Sequence, residues 1–169
     1  MDLDKESARK LRVGIVGASG YSGSALAQLV SVHPRLSLAF ATSDKRAGES
    51  LSEHLGVRFD GDVRWVSNAS AIERAGDCDA VLLATSAEIS MQLAPAFAKL
   101  GRQVVDLSGA FRLEAEAYPR WYGMKHAAPV WLERAHYGLP ELFGAPPPGS
   151  LVSNPGCYPT ALLMALAPL

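Results

Sequence analysis

The sequence predicts an α/β fold with a doubly wound, mostly parallel sheet, on three observations. Short apolar runs of strand length alternate with helical patterns, most runs are apolar on both faces, and a glycine-rich turn joins the first run to the first helix. The runs cover 13–16, 36–41, 63–66, 80–84, 104–107 and 151–153. After the first, Ala25, Leu26, Leu29 and Val30 recur at helical spacing until Pro34, which disfavours a helical residue before it. Between the fourth and fifth, Ile89, Leu93, Ala96, Phe97 and Leu100 form a second helical stripe closed by Gly101. Residues 109–150 are less regular and rich in aromatics. Residues 161–169 carry no polar side chain, so a helix there needs something to bury it, and the simplest expectation is a longer polypeptide.

Composition narrows the partners. The 169 residues suffice for one domain or one domain and part of another. Apolar residues make up 49% and charged ones 20%, with 16 basic against 17 acidic, which points away from disorder and nucleic acid and toward a small-molecule partner. The charged start predicts a flexible tail over 1–11 and no export signal. No charge follows Glu141, yet six prolines interrupt that stretch, so no membrane-spanning helix is expected. Two distant cysteines, Cys78 and Cys157, suit a reducing cytoplasm better than a disulfide scaffold.

The first turn reads Gly17-Ala18-Ser19-Gly20-Tyr21-Ser22-Gly23. Glycines at this spacing permit a tight turn, close approach to a pyrophosphate and packing of helix on strand, while the helix start offers unpaired N–H groups. Gly17, Ser19, Gly20, Tyr21, Ser22 and Gly23 are therefore candidate cofactor contacts in a Rossmann-like domain over 12–153. At the end of the second run stand Thr42-Ser43-Asp44-Lys45-Arg46. Ser43, Lys45 and Arg46 favour the extra phosphate of NADP, Asp44 keeps NAD open, and a solvated charged loop is the plainer alternative.

The last run is followed by Ser153-Asn154-Pro155-Gly156-Cys157-Tyr158-Pro159-Thr160. Cys157 falls at or just before a helix start, where unpaired N–H groups and the helix dipole stabilise a thiolate suited to thioester chemistry. Cys78 reads as structural. The four histidines show no metal spacing and most read as loop or surface residues, so no metal is expected.

Together these segments, with Asp106-Leu107-Ser108, Phe111-Arg112-Leu113 and Tyr137-Gly138-Leu139-Pro140-Glu141-Leu142, resemble the N-acetyl-gamma-glutamyl-phosphate reductases, relatives of aspartate-semialdehyde dehydrogenase. The chain departs from them at Thr85-Ser86-Ala87, where many members carry Pro-His-Gly, and at Gly109-Ala110, where Ala-Asp is usual. The resemblance implies Cys157 as nucleophile, NADP on the glycine turn with Ser43, Arg46 and Ser86, and Arg112 and Asn154 at the acyl phosphate. It implies NADPH-dependent reductive dephosphorylation of N-acetyl-glutamyl 5-phosphate to the semialdehyde, in arginine biosynthesis. It also implies a second α+β domain, missing from this chain, that supplies a histidine acid/base and dimerisation. Residues 154–169 would then be the cysteine segment and the start of that domain, the isolated chain inactive, and the full-length protein a homo-oligomer. A non-catalytic NADP-binding module and a reductase of aspartyl or aminoadipyl phosphate remain the alternatives.

Overall fold

A computed structural model describes residues 9–168, so 1–8 of the expected tail, and Leu169, lie outside the described residues. The chain divides into two compact units, the first ending at Ala80 and the second beginning at Val81.

In the first unit β1 (Leu11–Val16), β2 (Leu36–Thr42) and β3 (Trp65–Val66) lie in the order β3-β2-β1, with both pairings parallel. Helix α1 (Tyr21–Val32) connects the first two strands, and the short α2 (Leu51–Leu55) precedes β3. Val13 to Val16 are buried, as a run apolar on both faces requires. The register shifts between Val13 and Gly14, and Gly14 pairs with Phe40. A Cβ on Gly14 would come within 2.3 Å of the end of the Phe40 ring, so glycine is what lets that buried ring lie over the strand.

Helix α1 turns inward only part of the face the sequence suggests: Val30 of that stripe is buried and Leu26 half-buried. Gly23, Ala27 and Val30 are buried, whereas Ala25 and Leu29 of the expected stripe are exposed. The cause is Gly23, which packs on the glycine turn so closely that a Cβ would overlap the Gly17 carbonyl oxygen. That contact sets the phase of the whole helix. The start of β1 is tied down by Asp79, whose carboxylate accepts from Arg12 N at 2.8 Å and Arg9 Nη2 at 2.7 Å. The Arg12 amide, then the Arg9 guanidinium, hold that carboxyl below its ordinary range despite some desolvation. Cys78 is fully buried.

In the second unit β4 (Ala80–Leu83), β5 (Gln103–Asp106), β6 (Ala135–Tyr137) and β7 (Leu151–Ser153) lie in the order β4-β5-β7-β6, and β7 runs parallel to both β5 and β6. Helix α3 (Ala87–Lys99) connects β4 to β5, and the short helices α4 (Tyr118–Trp121) and α5 (Pro140–Phe143) flank β6. The inner face of α3 is built on Ser90, Met91, Ala94 and Phe97; Ile89 and Leu100, expected inward, are exposed. Strand β6 has no counterpart among the apolar runs. It is three residues long and half-buried to exposed, so Ala-His-Tyr carries no strand-like pattern. The last helix, α6 (Cys157–Leu166), buries none of its residues, and Tyr158, Leu162, Met164 and Leu166 are exposed. No helix among the described residues is long and apolar enough to cross a membrane.

Candidate active site

The first unit carries a cleft of about 590 Å³ at the glycine turn. Gly17 takes a positive φ of 78°, and the turn hangs on the end of β2 through Gly17 N to Thr42 Oγ1 at 3.0 Å and Ala18 N to Thr42 O at 3.1 Å. Helix α1 starts at Gly20 with no side-chain cap and no acidic residue in its first turn, so its leading N–H groups are open to an anion. Of the candidates, Gly17, Ser19, Gly20, Ser43 and Arg46 line the cleft together with Lys45. Tyr21, Ser22 and Gly23 do not: Tyr21 and Ser22 are exposed, and Gly23 is buried as the packing contact already described.

Two features of the cleft fit a dinucleotide bearing phosphate. Ser43 Oγ is buried and has no hydrogen-bond partner among the described residues, a vacancy that a ligand oxygen would fill. Lys45 is exposed, and Arg46 sits 3.0 Å from Glu49, a surface pair weak enough to open toward a phosphate. Asn68 also lines the cleft, and it escaped the sequence reading. Its backbone N–H and side-chain Nδ2 donate to the two carboxylate oxygens of Asp44, each at 2.8 Å. The available signal was position: Asn68 lies just past the C-terminal end of a parallel strand, where α/β sheets bind ligands.

The second unit builds the cysteine's surroundings. Asn154 N continues the pairing of β7 by donating to Asp106 O at 2.9 Å, Pro155 is buried, and Gly156 caps α6 with no side-chain bond. Cys157 is the first helical residue and is exposed, with no acidic residue in that turn. Thr160 closes the turn, its N and Oγ1 each donating to Gly156 O at 2.9 Å.

Arg112 braces this segment. Its Nε donates to Asn154 O at 2.9 Å and its Nη2 to Leu107 O at 2.7 Å, linking the loops that leave β7 and β5. Nη1 lies against Gly156, where an added Cβ would sit 3.1 Å from it. Asn154 turns its own amide to Pro155 O at 3.0 Å. Two donors of the guanidinium fork are thus held by main chain, and Nη1 is the part that lies against the residue capping α6.

Where the resembling family carries a carboxylate just before Phe-Arg, other groups hold the Arg112 loop here. Asp106 accepts from Ser108 N and Oγ at 3.2 and 2.8 Å, and Ser108 Oγ accepts from Ala110 N at 3.0 Å. Tyr118 Oη lies 2.6 Å from Ala110 O, to which it donates, and accepts from Arg112 N at 3.1 Å. His126 Nδ1 accepts from Ala128 N at 3.0 Å, which leaves Nε2–H to donate to Ala110 O at 2.7 Å. His126 is therefore no plain surface histidine, and neither it nor Tyr118 was singled out by the sequence. Burial raises the Asp106 carboxyl above its ordinary value, against hydrogen bonds from Ser90 and Ser108 and the nearby Arg112 charge. Burial likewise pushes the Tyr118 phenol up. Ser86 is exposed at the N-cap of α3.

A glycine turn on a parallel strand, an uncapped helix start and a polar cleft define the first unit as a dinucleotide-binding half of Rossmann type, and the second adds an exposed cysteine at a helix start. The family described as semialdehyde dehydrogenase, NAD binding domain, matches residues 12–146, and the chain belongs to it. The N-acetyl-gamma-glutamyl-phosphate reductase of Halorhodospira halophila is 47% identical over 161 residues, 94% of this chain and 46% of that protein. Among solved structures, aspartate semialdehyde dehydrogenase II of Vibrio cholerae, complexed with ASA, has a TM-score of 0.68 at 21% identity, over 95% of this chain and 46% of its own. Aspartate semialdehyde dehydrogenase with NADP from Candida albicans has a TM-score of 0.63 at 16% identity, over 94% and 46%. The chain spans about half the length of the curated relatives it matches.

Proposed function

We propose that this chain is the cofactor-binding and nucleophile-bearing part of an NADP-dependent N-acetyl-gamma-glutamyl-phosphate reductase. The observation that carries the reading is Cys157 standing exposed as the first residue of an uncapped helix, on a segment clamped by Arg112. Open N–H groups at that helix start and a guanidinium on the same segment favour a phosphate-bearing substrate there.

In this reading Cys157 Sγ attacks the acyl carbon of N-acetyl-glutamyl 5-phosphate, the C–O bond to phosphate breaks, and phosphate leaves a thioester behind. The Nη1 side of Arg112 draws the phosphate toward the helix start, and Asn154 lines the approach. Gly17, Ser19 and Gly20, at the start of α1, take the pyrophosphate of the cofactor, while Ser43, Lys45 and Arg46 take its 2′-phosphate. The bound cofactor supplies the hydride that converts the thioester to the aldehyde and frees the thiolate.

The test uses the full-length protein, run from semialdehyde, inorganic phosphate and NADP while NADPH formation is followed. Cys157→Ser should lower turnover by about three orders of magnitude or more with NADPH affinity unchanged. Turnover in that variant within about tenfold of wild type would refute the assignment.

A further inference from the structure

Four residues of the first unit's cleft, Gly17, Thr42, Asn68 and Asp44, form a continuous hydrogen-bonded chain with Asn68 at its hub. Gly17 N donates to Thr42 Oγ1 at 3.0 Å, that hydroxyl donates to Asn68 Oδ1 at 2.5 Å, and Asn68 passes two N–H groups to Asp44 at 2.8 Å each. The amide thus has both ends engaged. Its oxygen is fixed by Thr42, so its nitrogen has one orientation, and that orientation points at Asp44.

Asp44 is the residue whose freedom decides what the cleft can read. A carboxylate at the end of the second strand of a dinucleotide-binding unit accepts from the ribose 2′-hydroxyl and thereby selects NAD over NADP. Asp44 occupies that place and is the only carboxylate lining the cleft among the described residues. Each of its oxygens, however, already receives a short N–H bond to a charged acceptor, which are the stronger kind, and the pair fixes the carboxylate plane toward the loop after β3. The remaining lining at this end is Ser43, with its unpartnered buried hydroxyl, and the cations Lys45 and Arg46. Those groups match a phosphate rather than a hydroxyl.

We propose that Asn68 is the specificity-determining residue for the cofactor. By holding Asp44 it withdraws the carboxylate that would favour NAD and leaves Ser43, Lys45 and Arg46 to receive a 2′-phosphate. The proposal rests on the reading that this cleft takes the adenosine ribose of a nicotinamide dinucleotide, and it concerns Asn68 and Asp44, which that reading does not use.

The experiment titrates NADPH and NADH against the full-length protein by nucleotide fluorescence at fixed ionic strength, for wild type, Asn68→Ala, Asp44→Asn and the double variant. Asn68→Ala should lower the NADPH-to-NADH affinity ratio by at least about tenfold, chiefly through tighter NADH. Asp44→Asn alone should leave NADH affinity within about twofold, because its carboxylate is already engaged, and in that background Asn68→Ala should move the ratio by less than about twofold. A ratio in Asn68→Ala within about threefold of wild type would overturn the proposal, as would the same fall persisting without Asp44. The exposed Asp44→Asn variant also stands as a test by itself. A loss of NADH affinity of about tenfold there would show Asp44 to be a working ribose ligand. Wild-type protein that binds neither nucleotide would instead remove the reading of the cleft, so the two failures are distinguishable.

Discussion

At the scale of single residues, Arg112 does two things that lysine cannot combine. Its planar fork reaches two carbonyls on different loops, Asn154 O and Leu107 O, and still presents Nη1 to the Cys157 helix. Arg112→Lys keeps the charge but satisfies one carbonyl at best. It should destabilise the fold by about 1–3 kcal/mol in urea and lower kcat/KM of the full-length enzyme by at least about tenfold. The two cysteines should separate cleanly under iodoacetamide followed by mass spectrometry. Exposed Cys157 should be labelled in the native protein and buried Cys78 only after unfolding. Labelling of both at equal rates would contradict the burial. Cys157 was legible because its neighbours Pro155, Gly156 and Pro159 announce a helix start in sequence. Asn68, Tyr118 and His126 were not, because each acts through partners on other loops, such as Asp44, 24 positions from Asn68. No local period encodes a hydrogen bond of that span.

Elements were more readable in existence than in phase. The alternation of runs and helical patterns located β1, β2, β4, β5 and β7, and Pro34 and Gly101 marked the ends of α1 and α3. What misled was reading the inner face from the spacing of apolar side chains alone. In α1 the inner face is set by Gly23 against the glycine turn, so Leu29 is left outside although it is larger than the buried Ala27. Gly23→Ala should therefore act on two levels, lowering thermal stability and abolishing measurable NADPH binding in calorimetry, because the helix start must move off Gly17. Gly20→Ala is the control: its Cβ would meet only Gly17 O, at 3.4 Å, so melting should be nearly unchanged. Tyr118→Phe tests the clamp on the Arg112 loop. It removes one buried hydroxyl that serves Ala110 O and Arg112 N, and should cost about 1–3 kcal/mol by urea denaturation while leaving the ring stack on Tyr122 in place.

For the whole molecule, two carboxylates tilt the stability profile in opposite directions. Asp79 is held below its ordinary value, so its contribution is full above that value and is lost as pH falls through the folded one. Asp106 is raised, so the folded state keeps its proton longer than the unfolded chain, and stability declines as pH climbs from the ordinary value through the raised one. Urea titrations between about pH 3 and pH 7 should show Asp79→Asn flattening the acid limb and Asp106→Asn flattening the decline above it. A decline unchanged in Asp106→Asn would show that the buried carboxyl is ionised as readily folded as unfolded. The fold class and the glycine turn were visible in the sequence because both rest on backbone rules, the period of strands and the place of glycine. The brace around the cysteine was hidden because it consists largely of side chains bonding to distant main chain. One pairing carries history as well as geometry: since any side chain at position 14 would collide with the Phe40 ring, a lineage can gain the first only after, or together with, surrendering the second. Descendants should thus pair a bare 14 with an aromatic 40, or a substituted 14 with a slimmer 40, and shun the remaining combination.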